Sequence, residues 1–153
     1  MRGREDGFVA GAEALVFGVL IFVIGTLTML TGWVAVDAKL ATSAAAREAV
    51  RAVVDAPLDA STPQLEGRAS RAAQQVLAAH GHGPVDARLE VADPPLRLER
   101  CHRIAITVGV EVTSVIVPGT LDTPRWTVSS RHEQVVDPFR SGLALERWDG
   151  CGF

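Results

Sequence analysis

The chain has 153 residues, 48% of them hydrophobic, and a formal net charge of -3 from 15 basic and 18 acidic side chains. A chain of this length, once a membrane stretch is subtracted, buries one small core and no second one. The charge is spread evenly, -1 over residues 1–36 and -2 over the remaining 117, so there is no basic stripe to meet a phosphate backbone and direct nucleic-acid binding is argued against.

The amino terminus, MRGREDG, is too mixed in sign for an ordinary secretory leader. An apolar run begins at Phe8 and is interrupted by one acid, Glu13, near its start. From Ala14 to Val36 the chain carries no charge and no proline, and at the helical rise this stretch spans roughly 34 Å, enough for a bilayer core of about 30 Å. One membrane crossing is expected, with lipid around it. Burying Glu13 unpaired would cost kilocalories per mole, so it needs a partner or a path to the interface. Flanking charge leaves the orientation open, because Arg2 and Arg4 on one side face Lys39, Arg47 and Arg51 on the other. Gly11, Gly18, Gly25 and Gly32 recur every seven residues, close to two helical turns. They form one slowly drifting stripe where another helix can approach.

No glycine or proline lies between Trp33 and Ala56, so the helix is expected to leave the membrane and continue from about Val9 to Asp55, stopped by Pro57. On this extension Ser43, Ala46, Val50, Val53 and Val54 share one face. A second helix should follow the linker, capped by Thr62, opened by Pro63 and closed by Gly81 or Gly83. Its apolar face is Leu65, Ala69, Ala72, Ala73, Val76 and Leu77.

After Pro84 the apolar period falls to two. Val85, Ala87, Leu89 and Val91 alternate with polar residues, as do Ile104, Ile106, Val108, Val110 and Val112, and a third run opens at Trp126 and continues to Val136. Three strands are expected in a small antiparallel sheet, a hairpin turn at Pro118 to Pro124 joining the last two and the helices covering the apolar face. The fold class is therefore α+β, with an irregular tail after Pro138. The segments read as a charged leader 1–7, a transmembrane helix 8–36, its extramembrane continuation 37–56 and a domain 57–153.

Catalytic and metal chemistry find little support. His80, His82, Cys101 and His102 could in principle ligate zinc, but their spacing matches no compact zinc module. A triad of Ser129 or Ser130 with His132 and Asp137 has no nucleophile elbow behind it. His132 reads as a surface residue of the third strand. No cofactor is implied, and the chain does not read as an enzyme. Cys101 and Cys151 suggest a disulfide closing a loop of about 50 residues, contributing on the order of 4 kcal/mol. Two free thiols are the alternative.

The short charged leader, Gly7, Phe8, Glu13 and the unbroken apolar helix resemble the class III signal of type IV pilin-like proteins. The run from Gly7 to Val54 resembles the TadE-like pseudopilins of the tight-adherence pilus system, and Arg131 to Gly142 resembles a segment of actinobacterial members. The resemblance implies cleavage after Gly7 by a prepilin peptidase and a new amino terminus at Phe8. The family acid stands fifth in the mature chain, whereas Glu13 stands sixth after Gly7. Glu13 would pair with the free amine of a neighbouring subunit and set the axial register of packed helices. It further implies a cytoplasmic amino terminus, an extracytoplasmic domain, and other pilin or pseudopilin subunits and the pilus assembly platform as partners, with this chain a minor component. The competing expectation is an uncleaved single-pass anchor carrying an extracytoplasmic binding domain.

Overall fold

In the computed structural model, residues 5–83, 87–113 and 125–142 are described, with the side chains of the first helix described from Glu13 onward. Helix α1 runs Glu5–Val54, 50 residues without a break, or about 75 Å of rod. It starts earlier than the expected Val9 because no helix-breaking residue separates the end of the leader from the apolar run. Along its length its surroundings change. Leu15, Phe17, Ile21, Phe22 and Met29 are all more than half exposed, while from Ala38 onward Ala38, Ala41, Ala45, Ala46, Ala49, Val50 and Val53 are fully buried.

The buried stripe is mostly alanine, which lets α1 lie close to whatever covers it. Ala46, Val50 and Val53 were expected on it and are buried; Ser43 and Val54 are half-buried at its margins. The helix stops at Val54, where Asp55 N–H and Ala56 N–H still bond back to Arg51 O and Val53 O at 2.8 and 3.0 Å.

Helix α2, Thr62–Ala79, is capped one residue earlier than expected, by Ser61 in extended conformation. The Gln64 side chain accepts the Ser61 N–H at 2.9 Å, using a donor that the helix itself leaves open. Thr62 is the first helical residue, and its hydroxyl donates to Leu96 O instead. At the other end Gly81, at φ +81°, allows Gly81 N–H and His82 N–H to bond Ala78 O and Leu77 O, a Schellman closure that a left-handed glycine makes possible. Leu65, Ala69, Ala73 and Leu77 are buried at a spacing of four.

The sheet consists of β1 (Ala87–Val91), β2 (Arg103–Thr113) and β3 (Arg125–Val135), antiparallel in the order β1-β2-β3. The expected alternation is met on β2, where Ile104, Ile106, Val108, Val110 and Val112 are buried. Register sets Leu89 opposite Val108 and Val91 opposite Ile106 on one side. On the other it sets Ser130 opposite Val108 and His132 opposite Ile106. One core results, formed by the inner face of β2, the alanine stripe of α1, the apolar face of α2, and Leu96 and Val136. The outer sheet face carries Arg88 with Glu111, and Glu133 with Arg103 and Arg131. These exposed pairs add little stability. Gly109 lies in the middle of that face, where a Cβ would come within 3.3 Å of the Thr127 methyl. Val85 and the Pro118 to Pro124 turn lie outside the described residues.

Candidate functional site along the first helix

The surface that most needs explaining is the amino-terminal half of α1. Its most apolar window has a mean hydropathy of 2.4, and none of that window is buried within the chain. A core helix of a soluble domain would be covered. By length and composition this helix can cross a membrane. Its hydroxyls do not contradict that: Thr26, Thr28 and Thr31 each donate to the carbonyl four residues back, Phe22, Ile24 and Leu27, at 2.8–2.9 Å. A polar side chain satisfied within its own helix leaves no donor to be dehydrated.

Three of the four glycines can be tested for a reason within the chain. A Cβ placed on Gly18, Gly25 or Gly32 meets nothing within 4 Å. Each costs helix propensity of about 1 kcal/mol relative to alanine, and among the described residues no close approach offsets that cost. The backbone of Gly7, Phe8 and Gly11 lies within α1. Glu13 is exposed. It follows Gly11 by two residues and so lies about 160° from it around the rod, a separation that narrows to about 100° at Gly32 as the stripe drifts.

The domain grips the other half of α1 through a short series of polar contacts. β3 climbs the helix: Lys39 Nζ donates to Ser129 O at 2.6 Å, and Thr42 Oγ1 shares a 3.0 Å hydrogen bond with Ser130 Oγ. Ser130 is 7% exposed and Thr42 fully buried. Thr42→Val should therefore destabilise the full chain by about 1–2 kcal/mol, because it leaves a buried hydroxyl unpaired. Urea unfolding in detergent micelles would measure this, and adding Ser130→Ala should restore part of the loss.

At the carboxy end of α1 a second clasp closes. Arg140 donates through Nη1 to Val54 O and through Nη2 to Ala56 O. Arg140 itself is held by a turn, in which Asp137 accepts the Phe139 N–H at 2.8 Å and Arg100 donates to Pro138 O and Arg140 O. Gly142, at φ +92°, lies where a Cβ would come within 2.4 Å of Leu58. The segment after Pro138, expected to be irregular, is a turn fastened onto the end of the long helix as far as Gly142.

The residues considered for chemistry are scattered. Ser130 is committed to Thr42. His132 is half-buried on the helix-facing side of β3, which corrects the expectation of a surface histidine. The register that turns Ser130 inward turns His132 inward as well. His82 Nε2 stands 4.0 Å from Asp37 Oδ2. Among the described residues no three His, Cys, Asp or Glu side chains gather as a metal site, and Cys101 is not a free thiol. Cys101 occupies a left-handed position, φ +60°, just before β2. Cys151 lies outside the described residues.

Comparison with protein-family models, with curated proteins and with solved structures finds no match to this chain.

Proposed function

We propose that the chain is a minor pilin-like subunit of the TadE-like kind, held in the cell membrane by α1 and serving assembly of a tight-adherence pilus. The observation that carries this reading is the division of α1 into a bare apolar half and a half clasped by a small α+β domain. Gly18 and Gly25 supply one face for another helix, while Gly32 of the same stripe lines a groove with Trp126. Glu13, on a different side of the rod, supplies a second contact, suited to the free amine of a neighbouring subunit. Two different faces on one rod suit a head-to-tail assembly, in which each copy has a neighbour on either side.

In this reading a prepilin peptidase cuts on the cytoplasmic side and the domain stands outside. Cys101 then pairs with Cys151 in the oxidising compartment. The test is amino-terminal sequencing and intact mass of protein recovered from its native membrane, with and without reduction. A terminus at Phe8 is expected, with a gain of about 2 Da on reduction. A terminus at Val9 would place Glu13 at the fifth mature position and keep the reading. A terminus at Met1 would overturn it in favour of an uncleaved single-pass anchor.

A further inference from the structure

Trp126, at the start of β3, does not face open water. With Ile24, Leu27, Thr31 and Ala35 of α1 it lines an apolar groove between the helix and the end of the sheet. The hydroxyls of Thr28 and Thr31 in its wall are spent on their own helix. Around the groove α1 stays bare, with Ile21, Phe22 and Met29 at 69%, 73% and 76% exposed.

This placement constrains how the protein meets a bilayer. If the domain were wholly clear of lipid, the hydrocarbon would have to end before Ile24. The uncharged helix from Ala14 to Val23 would then span only about 15 Å, half of a bilayer core. Extending the count back to Phe8 gives about 24 Å, still short, and draws Glu13 into the hydrocarbon. To span the core, the crossing must include the level of Ile24 to Ala35, and Trp126 is fixed at that level.

We propose that the Trp126 end of the sheet is embedded in the leaflet on the domain's side of the membrane, with lipid acyl chains filling the groove between Trp126 and α1. The inference rests on the membrane-crossing part of the reading above and not on pilus assembly. With Asp37 among the headgroups, the Thr28 to Gly32 level lies about 8–13 Å further in. That is close to the acyl boundary where indole rings concentrate and where amphipathic surfaces insert by about 5–10 Å. Neighbouring charges suit this depth. Arg125 is exposed beside Trp126 and can extend its guanidinium to lipid phosphates. Lys39 and Asp37 follow on α1 above the groove. The domain would then be seated on the membrane at two points, the helix and the tryptophan, which limits its tilt relative to α1.

Depth-dependent quenching tests the proposal on the full chain in phosphatidylcholine liposomes. One variant carries Trp33→Phe and Trp148→Phe, leaving Trp126 as the sole tryptophan; a companion carries Trp126→Phe and Trp148→Phe, leaving Trp33. Nitroxide is placed on the acyl chain near the carbonyl or near the methyl end, and iodide serves as the aqueous quencher. For Trp126 the shallow nitroxide should quench about threefold more than the deep one, with iodide nearly ineffective. If Trp33 is quenched by lipid while Trp126 responds only to iodide, the embedded domain is overturned and the crossing stands. If a partner helix, and not lipid, fills the groove, Trp126 responds to neither quencher, which also overturns the proposal. If both tryptophans respond only to iodide, the crossing fails and the proposal with it.

Discussion

Arg140→Ala should lower the unfolding free energy of the full chain by about 2–3 kcal/mol, the largest loss expected from any single polar side chain here. A helix leaves its last carbonyls without internal partners. At the end of α1, Arg51 O and Val53 O accept from the chain that follows, whereas Val54 O and, just beyond the helix, Ala56 O accept from the Arg140 guanidinium. The positive charge also opposes the negative end of a 50-residue helix. Because one planar fork reaches both carbonyls, Arg140→Lys should keep the charge but lose one of the two bonds, and so recover less than half of the loss. Thermal unfolding followed by circular dichroism in micelles measures both variants. An Arg140→Ala chain as stable as the parent would show that the turn at residues 137–142 contributes nothing to holding α1.

Such a clasp is invisible in sequence. Arg140 lies 86 residues from Val54, and nothing in Asp-Pro-Phe-Arg beyond its turn-forming start points to a helix end far upstream. The Thr42–Ser130 bond is hidden in the same way, since each hydroxyl is an ordinary surface residue until the other is set beside it. Alternation on β2 was readable because Ile104 to Val112 keep strict period two with β-branched residues, and the antiparallel register followed. The buried face of α1 was read less well. Val50 and Val53 pointed to it, but Ala38, Ala41, Ala45 and Ala49 signal helix formation as readily as burial, so their share of the core emerges only when the sheet lies against them. The capping position slipped by one residue because Ser61 and Thr62 offer similar hydroxyls; Gln64 decides between them by reaching back to the Ser61 N–H.

The bare half of α1 presents the opposite case. Gly18, Gly25 and Gly32 are legible as a stripe and Glu13 as a lone acid, yet among the described residues nothing lies within 4 Å of a Cβ built on any of the three glycines. In the proposed assembly a neighbouring helix would be what uses them. Within the domain the apolar positions are explained by burial, and that can be tested by stability alone.

Ile106→Ala is the sharpest such test. Ile106 is fully buried at the middle of the central strand, between Val91 and His132 in register. Removing its outer methyl groups deletes contacts with both neighbouring strands and with the helix layer at once. Such truncations cost about 2–5 kcal/mol, the higher part of the range applying where neighbours cannot collapse into the space. Collapse is hindered here because the facing helix presents alanines, whose methyl groups have no rotamer through which to fill a void. The cost should therefore fall in the upper half of that range, on the order of 4 kcal/mol, whereas Ile106→Val should cost only about 1 kcal/mol. The bare half of α1 makes no contact with Ile106, so the amplitude of helical signal that survives unfolding of the domain should be the same in both variants and in the parent. A loss below about 1 kcal/mol for Ile106→Ala would mean that the α1 alanine stripe is not packed on β2. The clasp at Arg140 would then be holding the helix beside the sheet without a core between them.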